Sequence, residues 1–277
     1  IDAGEFVLHY QPVVCLGRLE TTGAEALLRW RQSDSVILPA GEFISIAEQS
    51  GLMLDLNTWI LDQAAKDVRS WRDAGWTNAK VAINVSAQQF ISGDFLADVE
   101  RLLELHGLPP DAIELELTEN MLQTGAITVE TLRALRMMGI MTALDDFGTG
   151  YSSLTSLERL PLSRVKLDRS VLAEVDSNPR AASIANSIIA LCRSLGLQVT
   201  IEGLERTSQL DFLSACGDVS VQGYLVARPA DASEILDIAR RMGPRMRALL
   251  DAAEGGRVQG LGDDSDGTVR RRRRRVT

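Results

Sequence analysis

The feature that most constrains this chain is a recurrence: short apolar or β-branched runs, each ending beside an acidic or amide side chain, alternate with stretches of helical spacing. Val81-Ala82-Ile83 ends on Asn84, and Ile113 to Thr118 contains Glu116. Met141 to Leu144 is followed by Asp145-Asp146, Arg164 to Leu167 carries Lys166 and precedes Asp168, and Val199-Thr200-Ile201 is followed by Glu202. Runs this short and apolar read as buried parallel strands. Between them, Leu56 to Ala74 and Asp94 to His106 repeat apolar residues every three or four positions, the second stopping before Gly107. Asn178-Pro179 opens a further helix that ends at Gly196. The intervals Asn84 to Glu116, Glu116 to Asp145 and Asp168 to Glu202 are each close to the roughly 30 residues of one strand–helix unit. Six or more such units close into a (β/α) barrel more readily than they form an open sheet. Ahead of them, Phe6 to Val14 and Leu19 to Leu28, joined by a turn around Gly17, read as an opening hairpin.

A single barrel suits 277 residues. Apolar periodicity fades after about Leu249, so residues 1–248 are expected to form the barrel. Residues 249–277, Gly- and Asp-rich and then Arg-rich, are expected to be a disordered tail. The tail distorts the charge balance: taking the six arginines Arg270 to Arg275 from the net charge of -9 leaves a body of -15. Such a body repels nucleic-acid polymers, and a small anionic ligand would need a metal ion or a few placed cations. The longest uncharged run, Val81 to Gly93, falls short of the roughly 20 residues of a membrane span. Cys15, Cys192 and Cys216 lie far apart without a CxxC pair, which points to the cytoplasm and away from a thiolate zinc site. The chain opens at Ile1 without a methionine or a leader and reads as a piece of a longer protein, whose other parts could anchor it to a membrane.

In a (β/α) barrel the carboxyl ends of the strands meet at one mouth, where catalytic groups sit. Asn84, Glu116, Asp145, Asp146 and Glu202 each fall at such an end, and Glu25 joins them at the end of the second hairpin segment. Carboxylates crowded in this way raise one another's pKa unless a divalent cation offsets the repulsion. Oxygen ligands with one amide favour Mg²⁺ or Mn²⁺ over zinc. One carboxylate of the Asp145-Asp146 pair could bridge two metals while the other completes the second site, an arrangement suited to in-line phosphoryl displacement.

On these residues the chain resembles the EAL-domain family of cyclic di-GMP phosphodiesterases. Glu25-Ala26-Leu27 is the triplet that names the family, and further matches follow in the family's order. They are Tyr10-Gln11-Pro12, Ile83-Asn84-Val85-Ser86, Glu116-Leu117-Thr118-Glu119, Asp145-Asp146-Phe147-Gly148-Thr149-Gly150, Lys166-Leu167-Asp168, Glu202-Gly203-Leu204-Glu205 and Gln222-Gly223-Tyr224. The resemblance implies a TIM-like barrel whose first strand is antiparallel, two Mg²⁺ or Mn²⁺ ions, and hydrolysis of one phosphodiester of cyclic di-GMP to linear pGpG in bacterial signalling. It implies that Glu25, Asn84, Glu116 and Asp145 hold one metal and that Asp145, Asp146 and Glu202 hold the other. Lys166 would position or activate the attacking water, with Asp168 orienting the lysine and Glu205 among the catalytic group. Gln222 would act in the solvent shell of the second metal, and Gln11 and Arg29 would contact substrate. Glu119 would anchor the loop over residues 147–153, which carries Asp146 into place. A homodimer and an upstream regulatory or GGDEF domain are further expectations.

Blander readings of the same residues stand beside these. Glu25 alone reads as a loop cap, Asp145-Asp146-Phe147-Gly148 as turn chemistry, and Asn84 as the cap of the following helix. Lys166 reads as a structural bridge between carboxylates, and Glu119 as a helix N-terminal glutamate. Gln222 and Glu205 could serve only as supporting hydrogen-bond groups, Arg29 as a surface ion pair, and Gln11 as a hairpin-end hydrogen bond. His9 and His106 are expected to be structural and away from the mouth. Three positions depart from the family pattern: Ile201 replaces a small residue before Glu202 and is expected to crowd the metal shell, Thr200 replaces an apolar residue, and Arg206 replaces a threonine. Two rival functions remain: a catalytically silent domain that binds cyclic di-GMP or a protein partner, and a two-metal barrel hydrolase for another phosphodiester. Retention of every ligand and of the Asp145-Asp146 loop favours the phosphodiesterase.

Overall fold

The computed structural model describes residues 1, 3–33, 36–118, 121, 126–149 and 154–260. Strand β1 (Phe6–Cys15) pairs antiparallel with β2 (Glu20–Ser33), the expected hairpin. From β2 the sheet continues in parallel through β4 (Val81–Asn84), β5 (Ile113–Thr118), β6 (Met141–Phe147), β7 (Arg164–Leu167), β8 (Gln198–Ile201) and β9 (Ser220–Val221). It closes where β9 meets β1 antiparallel, Val14 opposite Val221. The result is a closed eight-stranded (β/α) barrel whose first strand is reversed. β2 overshoots the ring, and its far end pairs with β3 (Val36–Pro39); β10 (Ala230–Asp231) adds to the outer edge of β1.

The helices are α1 (Ile44–Gln49), α2 (Met53–Asp73), α3 (Ala87–Phe90), α4 (Phe95–His106), α5 (Ala126–Met138), α6 (Leu154–Arg159), α7 (Pro179–Ser194), α8 (Thr207–Ser214) and α9 (Ala232–Gly260). α2 buries Leu56, Ile60, Leu61, Ala64, Ala65, Val68 and Trp71 along one stripe, the three- and four-residue spacing that the sequence shows. α4 ends at Gly107, which takes the left-handed conformation at φ 59, and α7 starts on Asn178, whose side chain accepts from the backbone of Arg180 and Ala181. α9 runs to Gly260, past the boundary expected near Leu249. The Arg270 to Arg275 run lies outside the described residues.

Period-two alternation decides what each strand gives to which layer. In β5, Ile113, Leu115 and Leu117 are fully buried against the helices, while Glu114 and Glu116 face the lumen. In β7, Val165 and Leu167 belong to the outer core, and Arg164 and Lys166 line the lumen. The core therefore lies between barrel and helices, and the barrel interior is polar. Its lower layer is a satisfied ion pair: the Arg164 Nε donates to Glu114 at 3.0 Å, Nη1 to Thr200 Oγ1 at 2.9 Å and Nη2 to Gln198 Oε1 at 2.6 Å. Buried charges of this kind persist only with such full hydrogen bonding.

Candidate active site

Above that layer, the lumen holds Lys166, 2% exposed. Its Nζ lies 2.8 Å from Glu116 Oε2, 2.8 Å from Glu202 Oε1, 3.1 Å from Asp145 Oδ1 and 3.4 Å from Glu25 Oε2. These carboxylates come from β2, β5, β6 and the residue after β8, so strand ends that are distant in sequence meet at one ammonium. Glu25 also accepts from Asn84 Nδ2 at 2.9 Å and from Gln222 Nε2 at 2.6 Å. Gln222 donates further to Gln11 Oε1 at 3.1 Å, and Gln11 donates to the Ala227 carbonyl at 3.0 Å. The reversed β1 thus reaches the mouth through Gln11, opposite Glu25 in register.

The electrostatics are those of a site short of positive charge. Burial pushes the Glu116 carboxyl well above its usual range, and neighbouring Glu25 adds to the effect. Burial likewise raises Glu202 to about 7 against the pull of Lys166, with Asp145 and Glu25 raising it further. Asp146 is raised by burial and by Asp145. Burial would lower Lys166, but Glu116, Glu25, Asp145 and Glu202 outweigh it and hold the ammonium well above its ordinary value. Burial opposes ionisation of Glu25 too; Lys166, Gln222 and Asn84 reverse that and bring it below the ordinary value. One ammonium stabilises some of these carboxylates and leaves others uncompensated.

Asp145, Asp146 and Glu202 each present an oxygen, and these oxygens lie within 4.8 Å of one another. Asp146 takes a left-handed backbone at φ 56, uncommon outside glycine. Its N–H is held by Asp145 Oδ1 at 3.0 Å, and its carbonyl accepts from Thr149 Oγ1 at 3.1 Å. Gln222 Oε1 is buried without a hydrogen-bond partner among the described residues. An orphaned oxygen beside an all-oxygen donor set fits hard divalent cations.

Several expected site residues lie elsewhere or differ in detail. Asp168 does not pair with Lys166; its carboxylate caps the next turn by accepting from Ser170 N at 2.9 Å. Ile201 does not crowd the carboxylates: it is fully buried in the outer core, because it alternates with the inward residues Thr200 and Glu202. Thr200 faces the lumen, where it accepts from Arg164. Arg206 holds the segment after β7 through Asp176 Oδ2 at 2.8 Å and the Ala173 carbonyl at 2.9 Å. Glu205 is exposed at the mouth, its N–H bonded to Gln209 Oε1 at 3.0 Å. Arg29 is half-buried beside a neighbouring cavity of about 510 Å³ that also includes Asn84, Ser86 and Asn57, with its Nη1 donating to the Leu28 carbonyl. Glu119 lies outside the described residues. His9 is at the rim, opposite Leu27 and 3.4 Å from Asp231, because reversed β1 brings its early residues to the mouth. His106 is on the outer helices against Asp62.

The mouth cavity, about 300 Å³, is lined by Gln11, Glu25, Asp145, Glu202, Glu205 and Gln222, with Arg169 and Tyr224 as residues that the sequence reading did not assign a role. Two glycines shape it. A Cβ on Gly203 (φ 66) would meet the Arg169 Cβ at 2.2 Å, and one on Gly223 (φ 153) would meet the Leu204 backbone at 2.3 Å. Only glycine permits these approaches.

Comparison with known proteins agrees with this geometry. The chain is 40% identical over 230 residues to the signaling protein YkoW of Bacillus subtilis, covering 83% of this chain and 29% of that protein. It is 38% identical over 237 residues to the bifunctional diguanylate cyclase/cyclic di-GMP phosphodiesterase MucR of Pseudomonas aeruginosa, covering 85% and 35%. It spans about a third of the length of the curated relatives it matches. Among solved structures, the MucR phosphodiesterase in complex with c-di-GMP superposes with a TM-score of 0.79 at 38% identity, covering 84% of this chain and 95% of that one. The EAL domain family model matches residues 1–229. Strand-end carboxylates, reversed first strand and this match give one answer: the chain belongs to the EAL domain family.

Proposed function

We propose that this domain is a metal-dependent phosphodiesterase that hydrolyses cyclic di-GMP to linear pGpG. The observation that carries the reading is the convergence of Glu25, Glu116, Asp145 and Glu202 within 3.4 Å of a single buried ammonium, a cluster whose negative charge exceeds what one lysine offsets. The relative MucR is named as a cyclic di-GMP phosphodiesterase, and its solved domain carries c-di-GMP. In this reading Glu25, Asn84, Glu116 and Asp145 would hold one Mg²⁺ or Mn²⁺, and Asp145, Asp146 and Glu202 a second. Bound there, the two cations would acidify a water and neutralise charge on the phosphoryl oxygens.

The chain's own groups supply the rest. Lys166 Nζ, whose donors are taken up by the four carboxylates around it, would donate to the water's oxygen where one of those carboxylates turns away, and would bring positive charge near the reacting phosphate. Gln222, tied to Glu25 and Gln11, leaves its buried Oε1 to accept a hydrogen bond from water in the site. Gln11 and Arg29 line the mouth and its flank as substrate contacts, and Glu205, at the same mouth, belongs with the catalytic group. The water's oxygen bonds to phosphorus, the P–O3′ bond breaks, and a proton passes to the 3′ oxygen, which yields a 5′-phosphate. The domain is read as working in the cytoplasm, as a homodimer, and joined to an upstream regulatory or GGDEF domain. Among the described residues no helix is long and apolar enough to cross a membrane.

The test is incubation of the purified chain with cyclic di-GMP and Mg²⁺ or Mn²⁺, with product identified by mass. Appearance of pGpG that EDTA abolishes is the expected result. Hydrolysis of bis-p-nitrophenyl phosphate without any of cyclic di-GMP would favour a hydrolase for another diester, and binding without cleavage a silent receptor.

A further inference from the structure

Among the described residues, the ionisable ones lining the mouth cavity are Glu25, Asp145, Glu202, Glu205, Tyr224 and Arg169, and of these Arg169 is the one cation. Lys166 lies beneath, engaged by four carboxylates. Arg169 forms no ion pair within 4.0 Å among the described residues. Its position is built by two devices. Asp168 follows Leu167, the last residue of β7, and caps the turn Arg169–Leu172, which sets Arg169 two residues past the strand end. Gly203, next to Glu202, leaves a notch that the Arg169 stem fills, since any side chain at Gly203 would collide with the Arg169 Cβ. Arg29 differs: its guanidinium is bonded to the Leu28 carbonyl, and its cavity includes neither Asp145 nor Glu202.

A cyclic dinucleotide carries two phosphodiester anions. One would be drawn to cations held by the carboxylates, whereas the other enters the same mouth as a net negative charge facing Glu202 and Glu205. Without a positive partner it would be repelled. A guanidinium offers paired donors suited to a phosphate's oxygens. We propose that Arg169 holds the second, uncleaved phosphodiester of the substrate and thereby selects diesters with two phosphates over those with one. This rests on the cyclic di-GMP reading and adds a residue and a charge requirement to it.

The test uses the full chain in Ca²⁺, and measures binding by titration calorimetry, so that it does not depend on turnover. The probes are cyclic di-GMP, with two phosphodiesters, and GpG, with one. Arg169→Ala should weaken cyclic di-GMP about tenfold and GpG less than about twofold, and Arg169→Lys should recover part of the loss. An unchanged melting temperature shows that the fold is intact. Equal loss for both ligands, or no loss for either, overturns the proposal while leaving the cyclic di-GMP reading in place. A wild-type chain that binds neither probe and produces no pGpG in Mg²⁺ or Mn²⁺ overturns both.

Discussion

Lys166 and Glu116 form an ion pair of 2.8 Å across the lumen, from β7 and β5, which are not neighbours in the barrel. Both side chains are nearly inaccessible, at 2% exposure for Lys166 and 1% for Glu116. The pair is therefore a bridge through the barrel's centre, and the same ammonium reaches Glu25, Asp145 and Glu202.

Replacing that ammonium tests the bridge. Lys166→Met leaves several buried carboxylates uncompensated, which costs about 3–5 kcal/mol when one partner of a buried pair is lost. The metal-free variant should melt well below wild type, and saturating Mg²⁺ should narrow the gap by supplying the missing charge. Calorimetry with and without Mg²⁺ reads both; equal melting temperatures in EDTA would refute the account.

Glu25→Ala should abolish cleavage and still unfold cooperatively, because it removes a lumen carboxylate and no outer-core contact. Activity below a tenth of wild type corresponds to at least about 1.4 kcal/mol of lost barrier lowering. Paired activity and thermal melts check this, and retention above a tenth would remove Glu25 from the metal set.

The metal-free chain should lose stability as pH rises through the range from about 4.5 to about 7. Glu202 is raised from 4.5 to about 7, and Glu116 and Asp146 are shifted in the same direction. The folded form therefore binds protons in that window that the unfolded chain has released, which favours the folded state toward the acid side. A single such group contributes a slope of at most about 1.4 kcal/mol per pH unit. Denaturant melts in EDTA at successive pH values measure it, and Mg²⁺ should flatten or invert the dependence. A metal-free stability that climbs through this window would contradict the assigned shifts.

Thr200→Val keeps the shape of the side chain but leaves one N–H of the buried Arg164 without its acceptor. Loss of such a partner costs about 1–3 kcal/mol. Because Thr200 belongs to the layer below Lys166, KM should hold near wild type while the urea midpoint falls. A wild-type midpoint would show that the bond carries no net stability.

Deletion of residues 261–277 leaves α9 whole and should leave turnover unchanged. A rise in KM that disappears at high salt would instead show the Arg270 to Arg275 run drawing in the anionic substrate.

The strand ends were legible in the sequence because carboxylates or amides closing apolar runs recur at intervals of about one strand–helix unit, whereas any one of them alone reads equally as a cap or a turn. The boundaries of β5 and β7 follow directly from Ile113 to Thr118 and Arg164 to Leu167. β9 was not legible: Ser220–Val221 is too short to carry a period, and only ring closure against β1 defines it. The polar lower layer was hidden for another reason. Glu114 and Arg164 lie far apart in sequence, and nothing local states that their strands face one lumen. The misplacement of Ile201 was avoidable, since neighbours in a strand point to opposite faces and Glu202 fixes which face is inward. Arg169 had a signal too, following Asp168 directly at a strand end. Asp168 was expected beside the lysine because the family resemblance implies it, whereas its backbone position just past β7 favours capping the turn.

The reversal of β1 gives the barrel a direction of approach. Parallel strands enter at the floor and leave at the mouth, but β1 does the opposite: Phe6, paired with Trp30, stands at the upper rim, and Val14, paired with Val221, lies below. A polypeptide joined ahead of Phe6 would thus arrive on the same side as the carboxylates, a few strand residues from Gln11. Traction on that segment would be transmitted along backbone hydrogen bonds to Glu25 without crossing a single helix.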